Sequence, residues 1–244
     1  MDAVSVKKVL QSQGDPLKAV GALSFFKTGK GQYGEGDRFF GITVPTQRKT
    51  ARRFVSIPLD EVEKLLKDGI HECRFTALEI LVMKFEAAAK VGNKAECTRL
   101  AKFYLSHAKH ANNWDLVDTS APYILGRYLF EYVKDRTVLY RLAKSKNLWE
   151  RRIAIVSTYY FIGEKDFKDT IRIAEILLDD DHDLIHKATG WMLREMGKRD
   201  EQLLVSFLEK HAATMPRTML RYAIERFAKK ERVYYLALKA SAGQ

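Results

Sequence analysis

Five short stretches of this chain resemble one another, and their spacing restricts the fold more than any other feature. HECRFTALEIL at 71–81, LVDTSAPYIL at 116–125, ERRIAIVSTYY at 150–160, IHKATGWMLRE at 185–195 and MLRYAIERF at 219–227 align on Ala77, Ala121, Ala154, Gly190 and Ala223. These centres lie 44, 33, 36 and 33 residues apart, a range that fits paired-helix repeats stacked into a solenoid. A small residue at each centre lets neighbouring helices approach closely. Each repeat buries its apolar face only on its neighbours, so residues 1–244 are expected to form a single domain. An irregular helical bundle is the alternative.

Periodicity agrees. Val62, Leu65 and Leu66 stand between Pro58 and Gly69. Ala77, Leu78, Leu81, Val82 and Phe85 recur at three- and four-residue spacings, as a buried helix stripe requires. The pattern returns at Ile171, Ala174, Ile176, Leu177 and Leu178, and at Leu203, Leu204, Phe207 and Leu208. No stretch alternates over six residues, and no Asn-Gly or Asp-Gly pair joins two alternating stretches as a hairpin signal would. The expected fold class is all-α, a helical-repeat superhelix. No run of 18 apolar residues is present, so no membrane span or membrane partner is expected. The N-terminal residues lack an apolar block of signal length, and Cys73 and Cys97 make no disulfide framework. A cytoplasmic location is expected.

The charge points to a partner. Forty-two Lys+Arg against 31 Asp+Glu leave +11 at pH 7, a surplus that suits a polyanion, most often nucleic acid. Arg48, Lys49, Arg52 and Arg53 form one cluster, following Pro45 and Thr46, which read as a helix start. Arg141, Lys144, Lys146, Arg151 and Arg152 form a second. Arg217, Arg221, Arg226, Lys229, Lys230, Arg232 and Lys239 form a third, against Glu225 and Glu231. Stacked repeats would bring such clusters along a concave surface that tracks phosphates; a solvated face is the alternative for any single one.

One repeat position is chemically odd. Three residues before each centre stand Arg74, Asp118, Arg151, Lys187 and Leu220. A lone carboxylate, Asp118, occupies a slot that is basic in three repeats. It would face a basic groove, or simply pair with one of the cations. Asp179-Asp180-Asp181-His182-Asp183 lacks the Gly and distant Glu of a calcium loop, and it reads as the charged start of a helix. The six histidines show no strong zinc spacing, so no metal is expected. The Gly29–Gly36 segment is no P-loop and reads as a mobile surface loop ahead of Phe39-Phe40.

Trp114-Asp-Leu-Val-Asp118, Leu148-Trp149-Glu150-Arg151-Arg152 and Gly190-Trp191-Met-Leu-Arg194-Glu195 together resemble the AlkD family of DNA alkylation-repair glycosylases. So does Gly36-Asp37-Arg38-Phe39-Phe40-Gly41-Ile42-Thr43-Val44-Pro45 with Arg48. The resemblance runs from about residue 20 to 230. It implies a HEAT-like superhelix that binds duplex DNA on its concave face and hydrolyses the N-glycosidic bond of purines alkylated at N7 or N3. It implies Asp118 as the catalytic carboxylate, with Trp114 and Trp191 packed against the backbone of the lesion nucleotide. Arg152 would contact phosphate, with Arg151 the weaker candidate; Arg194, Arg48 and Lys187 complete the expected DNA contacts. No cofactor is implied, and a monomer is expected. The damaged base would not need to swing into a deep pocket, unlike the usual base-flipping solution.

The residues suit that chemistry. Trp114 and Asp118 are four apart, so a helix places both on one face. An alkylated purine is already cationic and leaves readily. The reaction lacks only stabilisation of the oxocarbenium-like sugar and orientation of water, which one carboxylate supplies. Tryptophan faces attract cationic groups and give flat contact to a sugar. Trp149, at a helix start, reads as core. Pro122 would deprive the Asp118 carbonyl of its helical partner and kink the helix. Glu195, beside Arg194, reads as ion-paired rather than as a second acid. Two other classes remain: a non-catalytic binder of damaged or branched DNA on the same scaffold, and a protein–protein helical-repeat adaptor.

Overall fold

The structure is a computed structural model, and it describes residues 1–238. Among these residues the regular structure is helical, with one isolated parallel bridge between Arg38 and Ile70. Among the described residues no helix is long and apolar enough to cross a membrane. The chain forms two compact units that divide between Tyr128 and Leu129.

The first unit holds α1 (Ala3–Gln11), α2 (Pro16–Phe25), α3 (Val44–Arg53), α4 (Leu59–Leu66), α5 (His71–Lys90), α6 (Lys94–Ser106) and α7 (Trp114–Ser120). The second follows α8 (Arg127–Tyr132) with α9 (Thr137–Ala143), α10 (Leu148–Gly163), α11 (Lys168–Ile176), α12 (Asp183–Gly197), α13 (Glu201–His211), α14 (Arg217–Ala223) and α15 (Lys229–Ala237). Polar caps begin several of them. Asp2 accepts from the Ser5 amide, Asp15 from Leu17, Asn147 from Trp149, and Asp200 from Leu203, each satisfying an amide that the helix leaves open. Pro45 sits in the first turn of α3, where its missing N–H costs nothing.

The periodic stripes are the core. Val62, Leu65 and Leu66 of α4, and Ala77, Leu78, Leu81, Val82 and Phe85 of α5, are all buried. In the second unit Leu193, Met196, Leu204, Phe207, Leu208, Met219 and Leu220 form a contiguous cluster. All five repeat centres are buried. Gly190 shows why the slot is small: a Cβ there would collide with the Met219 carbonyl and reach the Tyr222 Cβ at 2.5 Å. Trp149 is 8% exposed and is core.

Two helices depart from simple amphipathicity. The apolar helix α2 carries no buried residue, and Leu17, Val20 and Phe25 on it are exposed. In contrast, α5 buries Glu72, Arg74, Thr76 and Glu79 together with His71. Buried charge requires partners, and they define the site below.

Candidate functional site

Helix α7 carries Trp114 and Asp118. Asn113 caps it: the Asn113 Oδ1 accepts from the Trp114 amide at 2.8 Å. At Pro122 the helix changes type. After Ser120 the chain runs as a π-helical segment, Pro122–Gly126, in which the Gly126 amide donates to the Ala121 carbonyl at 2.9 Å. Such segments frequently mark functional sites. Asp118 is half-buried in the last α-helical turns before it. Burial raises the pKa of the Tyr104 phenol, and the charge of Asp118 adds to the rise. Thr119, the next residue, donates to Glu79 Oε1 at 2.6 Å, which also receives Arg48 Nε at 2.9 Å. Arg48, Arg52, Glu79, Thr119 and Tyr123 line a cavity of about 270 Å³.

Beneath Trp114 lies a buried ionic cluster. His71 Nε2 is 2.8 Å from Asp115 Oδ2, and its Nδ1 is 3.1 Å from Asp37 Oδ2. Asp37 also accepts from Arg74 Nη2 at 2.5 Å and from Asn113 Nδ2 at 3.3 Å. Carboxylate acceptors on both ring nitrogens require both to donate, which only imidazolium does. Burial alone would push the His71 pKa down. The charge and hydrogen bond of Asp115, with the bond from Asp37, outweigh it and raise the value to about 9. For Asp37 burial pushes upward, but the His71 hydrogen bond and the Arg74 charge hold its carboxyl below the usual range.

Aromatic rings join this cluster to the tryptophan. Phe26 stacks on Trp114 at 5.6 Å between centroids and lies 4.7 Å from the His71 ring. Phe39 stacks on His71 at 4.9 Å, and Phe25 meets Trp114 edge-on at 5.7 Å. The Gly29–Gly36 segment is more tied than a mobile loop. Gln32 Oε1 accepts from Gly29, Glu35 Oε2 accepts from Gly31, and the Gly34 amide donates to the Lys27 carbonyl. It delivers the buried Asp37 to His71. Behind it, Glu72 accepts from the amides of Phe40, Gly41 and Ile42. Gly41 has φ +81°, a conformation that favours glycine.

In the second unit Trp191 of α12 is half-buried and meets Tyr159 at 5.7 Å. Arg152 is 5% exposed, and its Nη1 donates to the Leu184 carbonyl at 2.7 Å. Arg151 pairs with Asp180 at 2.5 Å and donates to the carbonyls of Ser145 and Lys146. Arg194 pairs with Glu225 and Glu195. Lys187 pairs with Asp183 one turn earlier, at 2.6 Å. Of the expected DNA contacts, the side chains of Arg48 and Lys187 are the accessible ones, at 48% and 40%. Glu195 is ion-paired with Lys198, as its motif implied.

The acidic run is structural. Asp180 holds Arg151 and accepts from the His182 amide, His182 caps α12, and Asp183 lies in its first turn. Among the described residues no three His, Cys, Asp or Glu gather as metal ligands. Cys73 and Cys97 are buried and form no disulfide, and burial pushes the Cys73 pKa to about 12. Lys239 of the third basic cluster lies outside the described residues.

A helical-repeat scaffold with this signature defines a class, and the comparisons with known proteins fix the family. The chain belongs to the DNA alkylation repair enzyme family, whose pattern it matches over residues 6–227. It is similar in fold to a solved structure described as a predicted DNA alkylation repair enzyme from Enterococcus faecalis. The TM-score is 0.70 at 16% identity, over 89% of this chain and 98% of that one. No curated protein matches. Membership gives the chain a role in DNA alkylation repair and DNA as a partner.

His71, Asp37, Asp115 and Arg74 were not candidates by sequence. Asp37 and Asp115 lie 34 and 44 residues from His71. The readable signal was the first half of α5, where His71, Glu72, Arg74 and Glu79 stand among apolar residues and are buried with them.

Proposed function

We propose that this protein is a DNA glycosylase that releases N7- and N3-alkylated purines from duplex DNA as the first step of base excision repair. The observation that carries this reading is Asp118, one turn after Trp114 on a helix that ends in a π segment, in a chain of the alkylation-repair family. Asp118 stabilises the sugar as positive charge develops and orients water. At about 4 Å and an effective dielectric near 20, one charge pair is worth roughly 4 kcal/mol. That is about a thousandfold in rate. It suffices for a labile cationic lesion and not for a stable neutral one.

Trp114 and Trp191 give aromatic faces to the cationic nucleotide and its sugar. Arg48 and Lys187 meet phosphates. Arg152, Arg151 and Arg194 serve phosphates as well, through guanidinium groups already held by carbonyls and carboxylates. The two units work on one duplex as a single functional domain. The protein acts as a cytoplasmic monomer and uses no cofactor or metal, so activity survives EDTA. Uracil and 8-oxoguanine, which lack the fixed charge, stay in place, while bulky N7 adducts are released because no closed pocket excludes them.

Duplexes carrying N7-methylguanine, incubated with wild type and Asp118→Asn, test the reading. Base release by wild type and its loss in the variant support it. DNA binding by a wild type that releases no base leaves the alternative, a non-catalytic binder of damaged or branched DNA.

A further inference from the structure

We propose that His71 is a positioning residue of this site: held doubly protonated between Asp37 and Asp115, it fixes the first turn of α7 and thereby the orientation of Trp114. The inference rests on the function proposed above for Trp114 and Asp118. Three contacts converge on that turn. Asp115 takes His71 Nε2, Asn113 gives its amide to Asp37, and the Trp114 ring lies on Phe26, which in turn lies against His71. His71 and Arg74, one turn apart on α5, both reach Asp37. Asp37 therefore links the long buried helix to the cap of the short one. A seven-residue helix has little stability of its own, so these external ties set its register.

The clamp depends on charge. A neutral imidazole donates from one nitrogen only, so losing the proton breaks one bond and leaves a carboxylate without its donor. The charged groups around the ring are Asp37 from the loop, Asp115 from α7, Arg74 and Glu72 from α5, and Lys18 from α2, which lines the same cavity of about 230 Å³. Arg74 and Lys18 oppose the imidazolium. Glu72 is committed to three backbone amides, which leaves Asp37 and Asp115 as the direct counter-charges.

Nitrogen-15 spectra of the histidine rings and fluorine spectra of fluorotryptophan-labelled protein, assigned with Trp114→Phe, test this in the full chain. Both His71 nitrogens should carry protons at neutral pH, with loss of one only as pH passes about 9. The Trp114 signal should move in the same range. His71→Phe keeps an aromatic ring against Phe26 and Phe39 but removes both donors. It should abolish that pH-dependent movement and slow single-turnover release of N7-methylguanine about tenfold or more, with affinity for undamaged duplex within about twofold. If His71→Phe does not fold, Asp115→Asn serves: it should shift the movement to lower pH and slow release in the same sense. A neutral ring at neutral pH overturns the proposal. So does unchanged base release in an active background, whether or not the Trp114 signal moves. If wild type releases no base, the proposed function fails by itself. The ring's protonation and its coupling to the Trp114 signal then decide the role of His71.

Discussion

The two candidate tryptophans are held by different physics. Trp114 stands on a cluster of charge: a buried imidazolium, two aspartates and an arginine, with phenylalanine rings between. Trp191 stands on close packing. Its neighbour Gly190 lets α12 lie against the backbone of α14, where a side chain would collide, and Tyr159 is its ring partner. Charge-held geometry responds to pH. Packing-held geometry responds to volume and is indifferent to pH. Perturbations of one kind should therefore separate the two residues.

The largest effect should come from Asp118. Asparagine keeps its shape and removes its charge, so base release should fall by about two to four orders of magnitude. DNA binding should persist or improve slightly, because a negative charge leaves a DNA-facing position. Equal activity in Asp118→Asn would remove catalysis from α7 altogether and leave its ionic support without a catalytic purpose.

Alkaline pH should come next. The folded His71 pKa of about 9 lies above the ordinary imidazole value of 6.5. A group whose pKa rises on folding stabilises the fold fully below its unfolded value. That stabilisation is lost as pH climbs through about 9, and the amount is on the order of 3 kcal/mol. Asp37 acts in the opposite direction: its depressed pKa gives stability above the ordinary carboxylate range that fades as pH falls through the lower folded value. Urea midpoints of wild type should drop between about pH 7 and pH 10, and His71→Phe should flatten that limb. A wild-type midpoint that stays level would break the comparison on its charged side.

The sequence made the packing legible and hid the charge. Ala77, Ala121, Ala154, Gly190 and Ala223 announced the repeat because a small residue recurs at intervals of 33 to 44 residues. That Trp114 and Asp118 share one helix was readable, because four residues make about one helical turn. Pro122 announced the break in the helix, and only the structure gave its form. The His71 clamp was not readable, since Asp37 and Asp115 reach it from a loop and from another helix. The burial of Arg152 was hidden for a related reason: the Leu184 carbonyl that it meets lies on another helix. Helix α2 combines an apolar composition with an exposed surface.

Gly190→Ala should have a smaller effect than either charge change. The added methyl group must displace the Met219 carbonyl and the Tyr222 Cβ. Overpacking of this kind costs about 1–3 kcal/mol. A domain of this size then loses about 2–4 °C of Tm per kcal/mol. Thermal melts at neutral and at alkaline pH should show the same loss. A loss that grows with pH would mean that charge also supports Trp191, and the contrast with Trp114 would weaken.

The smallest effect should come from a single phosphate contact. Affinity for undamaged duplex should fall steeply with salt, because each neutralised phosphate contributes about −0.9 to the slope of log affinity against log salt. A slope shallower than about −2 would reduce the surplus charge to a solvated surface. Lys187 pairs with Asp183, one turn away on its own helix, at the exposed surface. An exposed pair of this kind contributes little to stability. Lys187→Ala should therefore leave the melting curve almost unmoved and make the salt slope shallower by about one unit. The weakening should be uniform across sequences, because a phosphate contact positions the protein without reading bases. Arg152→Ala is the counterpart. Its guanidinium is also buried and bonded to the Leu184 carbonyl, so its removal should lower the melting temperature as well as make the slope shallower. A shallower slope with an unchanged melt for Arg152→Ala would show that its guanidinium serves phosphate alone and that the packing of α10 on α12 does not depend on it.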